Sequence, residues 1–277
     1  AKWALTEDVK VALDMLGQSP VDVIYIVDSY GSIYPEQMAR MDRMAQNIID
    51  ALAADTEEAR VAWRGEEDDW ACPVCHQNLL MVNGTTSAVQ TMILSVIKAG
   101  DKIILPRNVH KSVINALVLC GGIPVYVKAR VNPKIGIALG IEVNEIKRAI
   151  EKNPDAKAVF INNPTYYGIC SNLTEITRIA HENNMKVLVD EAHGTHLYFG
   201  ENLPISGIKA GADLAAVSMH KSGGSLTQSS LLLCGENTDA EYVRQIINLT
   251  QTTSASYLLL SSLDISRRNL ALRGTES

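Results

Sequence analysis

Lys221 closes the run Ser218-Met219-His220-Lys221, which follows an apolar segment and opens onto Ser222-Gly223-Gly224. Lysine is seldom placed at the end of a buried strand without purpose. An amine desolvated there can have a lowered pKa and attack a carbonyl to form a Schiff base. Earlier in the chain, Val187-Leu188-Val189-Asp190-Glu191-Ala192-His193 is another buried-type strand, and it ends in a carboxylate. Pyridoxal phosphate chemistry requires both groups: a lysine for the aldehyde and a carboxylate for the ring nitrogen, which keeps the pyridinium protonated and the ring an electron sink. A phosphate also needs a cradle. Val82-Asn83-Gly84-Thr85-Thr86-Ser87-Ala88 ends one strand and opens a helix whose N–H groups and hydroxyls face an anion. Pro106-Arg107-Asn108-Val109-His110-Lys111-Ser112 offers an imidazole, His110, at a further strand end, placed to stack on a flat ring.

These residues need elements to position them. From Leu79 onward short β-branched runs alternate with helical periods. Strands are expected at 102–106, 123–127, 158–161, 186–189, 214–218 and 230–234, with helices at 86–97, 108–119, 143–152, 173–184 and 239–249. That alternation predicts an α/β fold, a mostly parallel sheet sandwiched by helices. Ligands in such folds bind at the carboxyl ends of the strands, which is where Asp190 and Lys221 fall. The first 80 residues read differently: an apolar strand at 21–27, a helix at 35–52, then a charged stretch leading to Cys72-Pro73-Val74-Cys75-His76. The expected division is 1–80, an α/β segment of uncertain placement that looks joined on, and 81–277, the cofactor-binding domain.

Composition narrows the class. Of 277 residues, 47% are hydrophobic and 20% charged, enough for a buried core. Twenty-five basic against 31 acidic residues give a formal charge of −6, which disfavours a nucleic-acid partner. No apolar run approaches the length of a membrane span, and Ala1-Lys2-Trp3-Ala4 has no signal-peptide character. The chain starts without Met, as a fragment or processed chain does. Five scattered cysteines point to a reducing, cytoplasmic compartment, with Cys120, Cys170 and Cys234 expected as buried packing residues.

From Leu79 to Gly274 the chain resembles the large domain of the bacterial ornithine/lysine/arginine decarboxylases, fold-type I pyridoxal phosphate enzymes of the aspartate aminotransferase superfamily. The matching motifs, in order, are Val82 to Thr86, Pro106 to Ser112, Asn163-Pro164-Thr165-Tyr166-Tyr167-Gly168, Asp190-Glu191-Ala192-His193-Gly194 and Ser218 to Lys221. The resemblance implies that Lys221 is the Schiff-base lysine, Asp190 the partner of the pyridine nitrogen and His110 the ring-stacking histidine. It further implies that Thr85, Thr86, Ser218 and His220 contact the phosphate and that His193 lines the cofactor pocket. The implied activity is decarboxylation of a basic amino acid (arginine, lysine or ornithine) to an amine and CO2, in polyamine metabolism. The family's small domain, expected after Gly274, is missing from the sequence. Fold-type I enzymes are obligate dimers, so the resemblance implies a homodimer or larger, with the hydroxyl-rich stretch from Gln251 to Tyr257 as an interface donor set or an ordinary turn.

Other readings compete. The same residues serve an aminotransferase or lyase, and a truncated or chimeric, catalytically inactive chain is the rival from another class. Asp190-Glu191-Ala192-His193 also spells an ATPase signature, but no Gly-x-x-x-x-Gly-Lys-Ser/Thr loop accompanies it. His193 and His196, three apart, and Cys72 with Cys75 lack enough further ligands, so no metal site is expected. Glu66-Glu67-Asp68-Asp69 reads as a solvated acidic loop. The stretch from Val21 to Pro35, with the motif Val27 to Glu36, resembles one strand-and-loop piece of a metal-dependent TIM-barrel aldolase; one such unit cannot build an eight-stranded barrel, so no aldolase function is transferred.

Overall fold

The computed structural model describes residues 78–200 and 202–273. The strand at 21–27, the helix at 35–52, the Cys72/Cys75 pair and the aldolase-like piece lie outside the described residues. In chain order the elements are β1 (Asn78–Met81), α1 (Gly84–Val96), β2 (Lys102–Pro106), α2 (Lys111–Cys120), β3 (Ile123–Val127), α3 (Val143–Lys152), β4 (Ala158–Asn162) and α4 (Leu173–Glu182). They continue with β5 (Lys186–Glu191), a 3-10 turn (Thr195–Tyr198), β6 (Leu214–Val217), α5 (Met219–Ser222), β7 (Ser230–Cys234), α6 (Ala240–Thr250) and α7 (Tyr257–Arg273).

The seven strands make one sheet in the order β1-β7-β6-β5-β4-β2-β3. Pairings from β3 through β6 are parallel, whereas β7 runs antiparallel to both β6 and β1. Both faces of the central strands are apolar, as covered parallel strands require. Ile103, Leu105, Ala158, Phe160 and Leu188 join α1, α2 and α6 in one buried cluster. Their alternates Ile104, Val159, Ile161, Val187 and Val189 join α3, α4 and α7 in the other. Each such large side chain contributes about 1.5–3 kcal/mol relative to exposure. The expected α/β sandwich is the observed one.

Boundaries shift at both ends of the site. The expected strand ending at Val189 runs on through Asp190 to Glu191, so both carboxylates stand within the sheet. α7 has no counterpart in the sequence expectations. Its buried face is Ser262, Leu263 and Ser266, and Ser262 Oγ accepts from the Leu226 N–H at 2.7 Å. A helix seated by serines leaves little apolar period to read. Cys234 is buried, but Cys120 and Cys170 are only partly so. That corrects the expectation of three packing cysteines: Cys120 ends α2 beside the exposed Val118 and Leu119, and Cys170 lies in a loop.

Candidate active site

An open cleft of about 950 Å³ lies at the carboxyl ends of β2, β4, β5 and β6. All eight residues that the sequence singled out, Thr85, Thr86, His110, Asp190, His193, Ser218, His220 and Lys221, line it. They come from several separate strand ends, which is the placement expected for a ligand site in an open parallel sheet.

Asp190 is 7% exposed, and its Oδ1 accepts from the Ala192 N–H at 3.0 Å. Burial pushes its carboxyl above the usual carboxylate range, opposed by that N–H and by the charges of Lys221 and His110. Lys221, carried by the short helix α5, is exposed in the cleft. This corrects the expectation of desolvation: β6 is buried, but α5 carries the lysine beyond it. Its Nζ lies 3.2 Å from His193 Nε2. An ammonium can only donate, so that nitrogen accepts. Burial and the neighbouring Lys221 charge hold the His193 imidazole below its ordinary pKa, in the neutral form that can accept. The Tyr166 ring meets His193 edge-on at 5.3 Å between centroids.

The other end of the cleft collects donors. Gly84 opens α1 at φ +72, a conformation glycine adopts without penalty, and its N–H donates to Gln228 O at 2.8 Å. The N-cap Asn83 makes no side-chain cap, so α1 has no side chain of its own on its first amides. Thr85 Oγ1 bonds both Ser218 Oγ and Ser230 Oγ, the latter at 2.7 Å. His220 Nδ1 donates to Ser229 O at 2.9 Å. Gln251 Oε1 accepts from the Val82 N–H at 3.0 Å, so the first residue of the Gln251–Tyr257 stretch braces the turn into α1.

His110 N-caps α2: its Nδ1 accepts from the Ser112 N–H at 3.2 Å and faces Ser112 Oγ at 2.8 Å. The cap orients the exposed ring at the cleft wall. One cleft residue was missed by the sequence reading. Asn162, in register with Asp190 across β4 and β5, lines the cleft with a buried Oδ1 that has no partner among the described residues. Its signal was available, since Asn162-Asn163-Pro164 ends a strand. Glu191 does not line the cleft. It is fully buried, accepting from the Tyr198 hydroxyl and, at 2.8 Å, from the Gly207 N–H. Burial raises its carboxyl to about 8. Glu191 therefore cannot serve the ATPase role that its motif spells. His196 sits exposed in the 3-10 turn, apart from His193, and no His/Cys/Asp/Glu cluster of metal-binding geometry occurs among the described residues.

Pyridoxal phosphate fits this donor set. The cleft offers one accessible primary amine, one buried carboxylate, an unpartnered amide oxygen beside it and a hydroxyl-rich helix N-terminus. Those are the polarities of an aldehyde, a pyridine nitrogen, a ring oxygen substituent and a phosphate. The chain belongs to the ornithine/lysine/arginine decarboxylase family, whose major-domain model matches residues 66–276. It is 50% identical over 196 residues to an arginine decarboxylase of Halalkalibacterium halodurans, covering 70% of this chain and 40% of that protein. The chain thus spans less than half the length of the curated relatives it matches. Among solved structures, lysine decarboxylase A from Pseudomonas aeruginosa shares the fold at TM-score 0.68 and 19% identity, over 96% of this chain and 40% of that one. An SPT structure with PLP aligns at TM-score 0.56 and 17% identity, over 71% and 48%. No helix among the described residues is long and apolar enough to cross a membrane.

Proposed function

We propose that the chain is the cofactor-binding part, residues 81–277, of a pyridoxal phosphate-dependent decarboxylase of basic amino acids, working in the cytoplasm as a homodimer or larger assembly. The observation that carries the reading is the convergence of Asp190, Lys221 and the Thr85–Ser218 hydroxyls on one cleft. When bound, pyridoxal phosphate supplies an electron sink for the charge left on the α-carbon as CO2 departs. Lys221 Nζ is the amine for the cofactor's aldehyde, with His193 Nε2 fixing its position. Asp190 holds a carboxylate where the ring nitrogen needs a proton kept, and the desolvated site strengthens that pairing. Thr85, Thr86, Ser218 and His220 would hold the phosphate, and His110 would stack on the ring. Arginine is the first substrate to test, because the curated relative at 50% identity carries that activity in its name.

The test starts from the purified full chain with pyridoxal phosphate. A band at the visible edge, lost on borohydride reduction with a covalent adduct mapped to Lys221, is the expected result. With arginine the products are CO2 and agmatine. A keto acid would assign the cleft to an aminotransferase instead, and a Lys221→Ala chain that still traps cofactor at another lysine would overturn the assignment.

A further inference from the structure

Tyr166 and Tyr167 follow β4, and both line the cleft. Thr165 holds their turn from beneath. It is buried, its carbonyl accepts from the Gly168 N–H at 2.9 Å, and its own N–H donates to Ile169 O at 2.9 Å. Both tyrosines nevertheless face outward, at 78% and 54% exposure. Their rings stand perpendicular with centroids 5.3 Å apart, and Tyr166 meets His193 at the same separation. Since His193 Nε2 lies 3.2 Å from Lys221 Nζ, one imidazole separates the tyrosine pair from the accessible amine.

The charges of the cleft decide what such rings can serve. Among the described residues that line it, Asp190 is the one carboxylate, and it is buried. The other ionisable groups there, the two phenols apart, are basic: His110, His193, His220 and Lys221. A substrate side chain ending in a cation is repelled from Lys221 and finds no second carboxylate on these walls. An aromatic ring offers a different attraction. Its face carries the negative part of the ring quadrupole and draws a cation to within about 6 Å of the centroid. A guanidinium, planar and weakly hydrated, lies flat on such a face.

We infer that Tyr166 and Tyr167 form the subsite for the cationic end of a basic amino acid, holding it by cation–π contact rather than by an ion pair. The inference rests on the decarboxylase reading above and adds to it the residues that select charge. It places the positive end of the substrate beyond His193, away from Lys221. It requires the ring faces and not the phenol hydroxyls.

Arginine and citrulline have nearly the same shape, but only arginine carries the charge. Their dissociation constants for the full chain loaded with pyridoxal phosphate are read from the change each makes in the visible-edge band before product accumulates. Arginine is expected to bind more tightly. Tyr166→Leu should cut that preference about three- to thirtyfold, the range of a cation–π contact from exposed to desolvated. Tyr166→Phe keeps the face and should retain it. Tyr167→Leu should also cut the preference, and it answers in place of Tyr166→Leu if that chain does not fold. A preference that survives both leucine changes would overturn the inference in favour of a carboxylate, and one lost equally on Tyr166→Phe would overturn it in favour of the hydroxyl. A wild-type chain that forms the Lys221 adduct but binds the two amino acids equally, or neither, overturns the inference and leaves the cofactor reading intact. A chain without the band overturns both.

Discussion

Asp190 and Asp213 are both buried carboxylates at 7% and 5% exposure, and they stand at opposite ends of the same pair of neighbouring strands. Asp213 precedes β6 at the end away from the cleft, and its oxygens are crowded with donors. Oδ1 accepts from Lys186 Nζ at 2.7 Å; Oδ2 accepts from the Val187 N–H and from His181 Nε2, each at 2.8 Å. Those partners tie α4, β5 and β6 together. Asp190, at the cleft end of β5, has one N–H and, among the described residues, no side chain bonded to it. Burial costs the same kind of group at both sites, but Asp213 is bonded by three donors, whereas Asp190 has one N–H and the charges of Lys221 and His110 nearby. A buried carboxylate with so few bonded donors beside an open cleft marks the end of the sheet that meets a ligand.

Substitutions can sharpen or break that contrast. Asp190→Asn keeps the acceptor for the Ala192 N–H and removes the charge. Decarboxylation measured as CO2 release should fall about 10²–10³-fold, the scale of one lost electrostatic contact in a transition state. Folding stability should hold or rise, since a desolvated charge has gone. Unchanged turnover would erase the distinction between the two aspartates.

Glu191 is an intermediate case, with donors but no cation. Its folded pKa of about 8 lies above the unfolded value, so the folded chain keeps a proton that the unfolded chain releases. Wild-type stability is therefore favoured at low pH and declines as pH rises toward 8. Urea unfolding of Glu191→Gln should show stability relative to wild type rising on the order of 1 kcal/mol per pH unit between about 5 and 8. Parallel pH profiles would mean that Glu191 is not held neutral.

Asp213→Asn should lower stability by about 1–3 kcal/mol, because Lys186 and His181 are half-exposed and water takes over part of their loss. Turnover per folded molecule should not change, and a lost activity with intact folding would put Asp213 in the wrong category. His110→Ala is the smallest effect expected. Cofactor affinity should drop by up to about tenfold, as for one aromatic contact, read from titration of the visible-edge band. The α2 cap goes with the ring, so a melting curve distinguishes lost stacking from lost capping.

Much of the site was legible before any coordinate. The continuous apolar runs of β2, β4 and β5 and the turns that punctuate such strands are local properties, and they place Asp190 and Lys221 near strand ends. The motifs around Thr85, His110 and Asn163 are equally local. The element that went unread is α7, whose buried face is largely serine; Glu191, in a motif whose ATPase reading the sequence already excluded, turns into the interior to bond Tyr198 and Gly207.

The sequence by itself determined the order of strands and helices, the two-sided burial of the sheet and the residue types at its carboxyl edge. Side-chain period and backbone propensity act over a few residues, so they can be read along the chain. The tertiary structure alone decided which of those residues meet. Ser230 lies 145 positions from Thr85, and nothing near either residue records that the reversed direction of β7 brings their hydroxyls together. Lys221 leaves the buried end of β6 because α5 turns outward, and its partner His193 arrives from the end of β5. Such contacts depend on how the whole sheet is ordered, and that order follows from burying two apolar faces at once.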